Sequence, residues 1–440
     1  MSSTHDHPKL AELLQHLIRF NTTNPPGNEV ACISYINTLL TEAAFQTTIL
    51  ARDPARPNLI TRLAGQGNAP PLLLQGHVDV VTTENQVWQH SPFEGELVDG
   101  YIWGRGALDM KGGIAMMLAA LLRAKAEGSS LPGDIVLAIL SDEETGGDYG
   151  AKYLVEEHAG LFEGILYAIG EFGGFTLHIG GRRFYPITVA EKQSCLVEIT
   201  VHGPGGHGSL PVRSGAIAKL GRLLQQLDKY RLPVHITPVA QQMLETISST
   251  VPTLIGSALH QLLDPTLTDS VLGRFGPQGQ FFDAILHNTV NVTMVHGSDA
   301  INVIPSKVVI ELDGRLLPGY SPAVMKAELC QIIGDDVEID VYPGEPASDE
   351  PNMGLFDTLA DILREADTDG IPVPLLFPAS TDGRFFARLG IQTYGFLPMK
   401  LPEGFNFSQT IHAADERISV EALDFGANAM YKALQRFGRK

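Results

Sequence analysis

Residues 72–79 read LLLQGHVD, residues 111–127 read KGGIAMMLAALLRAKAE, and residues 135–140 read IVLAIL. The first and last are short apolar runs without polar alternation, which suits strands buried on both faces of a mostly parallel sheet. The stretch between them, Lys111–Glu127, is rich in Ala, Leu and Met and reads as a helix. Strand, helix, strand in that order implies an α/β layer architecture. Upstream, Leu10–Phe20 and Val30–Leu40 carry helical spacing, and Asn58–Leu63 is another apolar run.

From about Ser194 the pattern changes. Ser194–Gly203 alternates, with Cys195, Val197, Ile199 and Val201 set against Leu196, Glu198 and Thr200, as in a strand with one wet face. Ile217, Leu220, Leu224 and Leu227 then recur at helical spacing, and two further strand patterns follow at Thr289–Val295 and Lys307–Asp313. Ser321-Pro322 is an N-cap and N1 pair that opens a helix to about Ile333, and Val337–Val341 alternates again. The order β-α-β-β-α-β is that of a ferredoxin-like split βαβ unit. Between its first helix and second strand, about Leu232–Asn288, lies an apolar, partly helical stretch with no assigned role. After Gly344 helix and strand patterns alternate to the C-terminus. The expected architecture is a mixed, mostly parallel catalytic α/β domain with helices on both faces, residues 1–192 and 344–440. It is interrupted by an α+β domain at residues 193–343.

Composition narrows the function. The 440 residues are 44% hydrophobic and 18% charged, which excludes disorder and collagen-like structure. A net charge of −19 argues against nucleic acid and anionic membrane as partners. Cys32, Cys195 and Cys330 are odd in number and far apart, so they read as reduced thiols of a cytoplasmic protein rather than a disulfide framework or a cysteine-based zinc site. The first ten residues, MSSTHDHPKL, show no apolar signal region, and the longest apolar run, Ile114–Leu122, is too short to span a bilayer.

The chemistry gathers at strand ends. His77 and Asp79 follow the 72–75 run, and alternate strand positions face the same way. Asp79 can therefore accept the imidazole N–H while the other nitrogen binds a metal, although an isolated H-x-D is more often a solvated loop pair. Asp109 lies among glycines in GRGALDMKGG just ahead of the helix; it could cap that helix or bridge two cations. In SDEETGG, residues 141–147, Glu143 and Glu144 suit a general base beside a metal ligand, or else a plain acidic surface loop. Glu171 sits in AIGEFGG and His412 in TIHAADE. Acids and imidazoles at successive strand ends match where open α/β sheets place their sites, and they form a nitrogen and oxygen donor set that zinc accepts.

With these motifs in hand, the chain resembles the M20 group of dinuclear zinc peptidases and deacylases, which includes acetylornithine deacetylase, succinyl-diaminopimelate desuccinylase, aminoacylase-1 and carboxypeptidase G2. The resemblance is carried, in order, by GHVDVV, SPFEGELVDGYIWGRGALDMKGG, SDEETGG, GEFGG, GPGGHGSLP, INVIPSKVVIELDGRLLPG, ASTDGRFF and IHAADE. Thr82 stands where the family often has proline, a loop position that bears no ligand.

The resemblance implies two zinc ions, with cobalt or manganese as substitutes. One would be held by His77, Asp109 and Glu171, the other by Asp109, Glu144 and His412, with Asp109 as bridge. It implies that Asp79 orients His77, that Glu143 is the general base, and that the Asp109–Met110 peptide is cis. It casts residues 193–343 as a lid and dimerisation domain whose His207 serves the partner subunit's oxyanion in a homodimer. Asn302, Arg315 and Arg384 are implied substrate contacts, though Asn302 could be a turn residue and Arg315 could simply pair with Asp313. The implied activity is hydrolysis of the amide bond of a small N-acyl amino acid or short peptide by a hydroxide bridging two metals. The segment HNTVNVTMVHGSDAINVIPSKVVIELDGRLLPG bears a looser resemblance to the carboxypeptidase S-like and N-acyl-amino-acid-hydrolysing branch. The alternative is a catalytically silent binding or scaffold protein on the same fold.

Overall fold

The computed structural model describes residues 9–345 and 350–438. They form two compact units, one built from residues through 189, 352–375 and from 381 onward, the other from residues 190–351 and 376–380.

The first unit is organised around a mixed sheet. Its centre is four parallel strands in the spatial order Ile135–Leu140, Leu72–His77, Tyr167–Gly170 and Gln392–Gly395. Antiparallel neighbours flank them, Asn58–Leu63 and Thr47–Leu50 on one side and Arg182–Glu191 on the other. Every residue of the 72–77 and 135–140 strands is buried, which is why neither shows polar alternation. Val136, Ala138 and Leu140 pack on one face against Ala151, Leu154, Phe385 and Phe386, which belong to the helices Ala151–Glu157 and Gly383–Ala387. A second helical layer is made by Leu10–Arg19, Lys111–Ala126 and Val420–Arg436, the middle one packing on the 72–77 strand. Helices therefore cover both faces, as the βαβ order requires. A small antiparallel sheet of Glu96–Val98, Tyr101–Trp103 and Arg417–Ser419 adds three strands that carry no clear pattern in the sequence.

The second unit contains a four-stranded antiparallel sheet in the order Thr289–His296, Lys307–Leu316, Gln193–His202 and Glu338–Pro343. Together with the helices Ala216–Lys229 and Pro322–Ile333 this is the ferredoxin-like arrangement. Cys195, Val197, Ile199 and Val201 point into its core, with Leu220, Leu223, Met325 and Leu329 from the two helices. Ser321 does occupy the N-cap of the second helix, but its side chain makes no capping bond, so Pro322 at N1 carries the start signal. The 232–288 stretch is a run of four short helices, Pro238–Thr250, Thr253–His260, Thr268–Phe275 and Gln280–Leu286. Lys192 anchors its end: the buried Nζ donates to the carbonyls of Ala284 and His287 and to Thr289 Oγ1, each within 2.9 Å.

Candidate metal centre

His77 is the last residue of its strand, and Glu171 follows the neighbouring strand Tyr167–Gly170 directly. The parallel pairing brings both to the same carboxyl edge. Gly173 lets the chain after Glu171 lie against the 392–395 strand, since a Cβ there would sit 2.0 Å from the Gly395 carbonyl oxygen. Asp109 precedes the Lys111–Ala126 helix without capping it; Met110 is the N-cap residue and the Asp109–Met110 bond is cis.

Asp109 uses its two carboxylate oxygens in opposite directions. Oδ1 lies 3.2 Å from His77 Nε2 and Oδ2 lies 3.1 Å from His412 Nε2. Glu171 Oε2 is 3.3 Å from the same His77 nitrogen, and Glu144 Oε2 is 3.4 Å from the same His412 nitrogen. Two clusters of donor atoms result, His77 with Glu143 and Glu171, and Asp109 with Glu144 and His412, each spanning no more than 4.8 Å. Glu143 thus stands inside the first cluster. Asp109 reaches into both.

The loop carrying the glutamates is held from behind. Asp79 accepts the backbone N–H of Glu143 and of Glu144 at 3.2 Å each, and its Oδ2 accepts from Asn24 Nδ2 at 2.8 Å. His77 Nδ1 is closer to the Asp79 backbone carbonyl (3.0 Å) than to its carboxylate (3.4 Å). Asp79 thus orients the imidazole chiefly through its main chain, and its carboxylate fixes the loop. Asp142, in the left-handed region at φ 72°, accepts from Asn24, Arg56 and Thr145. Asn24, Arg56 and Asp142 were not assigned from sequence; only Asp142 falls within a quoted motif.

Electrostatics favour a cation here. Burial, reinforced by Asp109 and Asp382 beyond what His77 offsets, pushes the Glu171 carboxyl up to about 8. Asp382 is pushed up to about 7 by burial that Arg384 only partly counters. Burial and the Glu171 charge likewise hold Glu143 well above the carboxylate range. The Asp109 and Glu144 carboxylates, accepting hydrogen bonds from its imidazole, raise His412 to about 10. Buried acids packed this closely raise one another's carboxyls and the neighbouring imidazole. Glu144 Oε1 and both oxygens of Asp382 are buried with no hydrogen-bond partner among the described residues. Imidazole nitrogens and carboxylate oxygens are the donors zinc and its divalent neighbours accept, so the residues fit such ions.

Arg384 lies beside the cluster, with Nη1 3.7 Å from Glu143 Oε1, while its guanidinium donates to the carbonyls of Thr381 and Gly146. In the second unit, Gly206–His207 pairs with Val303–Ile304, and Gly208 N donates to Asn302 O at 2.7 Å, so His207 and Asn302 are neighbours on an exposed turn. Arg315 forms a fork with Asp313 at 2.7 and 2.9 Å and reaches Ser380 at 3.2 Å.

Fold and site together define a metal-binding hydrolase of the α/β class. The model of Peptidase family M20/M25/M40 matches residues 73–436, and the chain belongs to that family. Among curated proteins it is 25% identical over 428 residues to aminoacylase-1 of Sus scrofa, covering 94% of this chain and 91% of the relative. It is 26% identical over 389 residues to the N-fatty-acyl-amino acid synthase/hydrolase PM20D1 of Homo sapiens, covering 84% and 75%. Among solved structures, the M20 family metallo-carboxypeptidase Sso-CP2 of Sulfolobus solfataricus superposes with a TM-score of 0.69 at 17% identity, over 97% of this chain and 99% of that one. The YXEP protein of Bacillus subtilis, a dinuclear metal binding peptidase, superposes with a TM-score of 0.59 at 16% identity over 97% of each.

Proposed function

We propose that this protein hydrolyses the amide bond of a small N-acyl amino acid or short peptide, using two divalent cations held by His77, Asp109, Glu144, Glu171 and His412. The observation that carries the reading is Asp109, whose two oxygens address a different histidine each. Zinc is the proposed resident ion, with cobalt or manganese as substitutes. Bound cations of this kind polarise a carbonyl and lower the pKa of a water. Glu143 takes the proton from the attacking water at a carboxylate oxygen and passes it to the departing amine nitrogen. Asp79 keeps Glu143 and Glu144 in place through their backbone N–H groups.

Arg384 is the proposed partner of the substrate carboxylate, with Asn302 and Arg315 as further substrate contacts. His207 is the proposed oxyanion donor, supplied by the second copy in a homodimer formed through residues of about 193–343. The exposed edge strand Thr289–His296, where Met294 and Val295 are about half exposed, supports pairing through this unit. A cytoplasmic location is proposed from three free cysteines, two of them buried; among the described residues no helix is long and apolar enough to cross a membrane.

The test is a hydrolysis screen of N-acetyl and longer N-acyl amino acids and dipeptides, using metal-stripped protein reloaded with zinc, cobalt or manganese. Turnover of an amide substrate that requires added metal is the expected result. Equal turnover by stripped and reloaded protein would overturn the reading.

A further inference from the structure

The donor side chains are not equally supported. His77 ends a strand of the central sheet and Glu171 directly follows one, where the ladders of hydrogen bonds fix the backbone. Asp109 and His412 have no such support. His412 lies between the short helix Phe407–Thr410 and the strand Arg417–Ser419, its φ is +58°, and its side chain is 48% exposed.

Three side chains join these two backbones. Arg105 is wholly buried, and its Nη1 donates to Glu416 Oε2 at 2.6 Å and to the Ala413 carbonyl at 3.1 Å. Glu416, also wholly buried, turns its other oxygen to the backbone N–H groups of Leu108 (2.8 Å) and Asp109 (3.1 Å). Gln86 completes the ring. Its Oε1 accepts from Arg105 Nη2 at 2.8 Å, and its Nε2 donates to the His412 carbonyl at 2.8 Å. Among the described residues, Glu416 belongs to neither cluster of donor atoms.

We propose that Arg105, Glu416 and Gln86 are positioning residues whose ring sets the affinity of the Asp109–Glu144–His412 group for its cation. The proposal rests on the two-cation reading above. A guanidinium is suited to the task because its planar fork holds several acceptors in fixed relation, which an ammonium cannot do. Partners behind a metal ligand typically change metal affinity by about 10–100-fold. Gln86 bonds to Arg105 and the His412 carbonyl but not to the Asp109 backbone, so its loss should weaken one cation and spare the other.

The test is a cobalt titration of the metal-stripped full chain, followed by absorption and calorimetry, on the parent, Gln86→Ala and Arg105→Lys. Removing Arg105 outright would leave Glu416 buried without its cation and put folding at risk. Gln86→Ala keeps the ion pair, and Arg105→Lys keeps the charge while giving up the fork. The parent should bind two equivalents. Gln86→Ala should bind one equivalent with parental affinity and the second about 10–100-fold more weakly, while Arg105→Lys, which also loosens the Asp109 backbone through Glu416, should weaken both, each with unchanged circular dichroism. Parental affinity for both equivalents in both variants overturns the proposal, as does equal weakening of both equivalents in Gln86→Ala, which would mean general loosening. A parent that binds a single equivalent overturns the two-cation reading and the proposal with it.

Discussion

Glu143 sits in the same small volume as His77 and Glu171, yet it is the residue proposed to move a proton. Replacement separates the two roles. A base contributes to the transition state and not to ligation, so Glu143→Gln should lower kcat by about 10²–10⁴-fold while the protein retains both metal equivalents. Turnover and metal content measured on one preparation decide it. Loss of one equivalent together with activity would make Glu143 a ligand, and a variant with half the parental rate would send the proton elsewhere. At this scale the sequence was informative about identity and silent about support. His77, Glu144 and Glu171 stood out as acids or an imidazole near glycines at the ends of apolar runs, and Asp109 as an acid among glycines ahead of a helix. The role given to His412, in TIHAADE, came instead with the family resemblance. Asn24, Arg56 and Gln86 did not stand out, since a single polar residue in a loop looks the same whether it is buried against a site or solvated. Arg105 and Glu416 lay inside quoted motifs, but only the fold shows that they face each other across 311 positions.

The short 141–147 loop carries Glu143 and Glu144, and one amide ties it together at three points. Asn24 Nδ2 lies within 3.0 Å of Asp79 Oδ2, Asp142 Oδ1 and Thr145 Oγ1, tying the loop to Asp79, two residues past the His77 strand. Asn24→Ala leaves buried acceptors without their donor, a loss of about 1–3 kcal/mol. Asn24→Asp should be worse, because it places a third carboxylate between two others. Denaturant unfolding followed alongside kcat checks the order parent, Ala, Asp; an aspartate variant as stable as the parent would remove Asn24 from the support of the loop. Legibility at this scale followed burial. Strands buried on both faces and helices with one apolar stripe declared themselves, as at Ile135–Leu140 and Ala216–Lys229. The three-residue strands Glu96–Val98 and Tyr101–Trp103 are too short for periodicity to register. The helices of the 238–286 run are short and broken by Pro252 and Gly276, and the Lys192 contacts that anchor their end are long-range.

At the scale of the whole molecule the open question is what the second unit does for the first. Its turn at Gly206–His207 is exposed, with Ile301 and Leu210 among the most exposed apolar side chains of the chain, so the turn is free to meet another surface. An antiparallel sheet with the free edge Thr289–His296 offers the means of bringing a second copy there, and a C₂ pairing would present each His207 to its partner. Mixing two inactive proteins tests this directly. His207→Ala lacks the donated imidazole and Glu143→Ala lacks the base. After subunit exchange, a mixed dimer holds one site with an intact Glu143 that receives an intact His207 from the other subunit. Random exchange at equal concentrations makes half the dimers mixed with one competent site each, so about a quarter of parental activity should return. Exchange is verified by tagging the two variants differently and isolating the mixed species. If that species is formed and stays inactive, His207 acts within its own subunit or takes no part in the reaction, and the second unit's role in catalysis has to be sought in Asn302 or Arg315 instead.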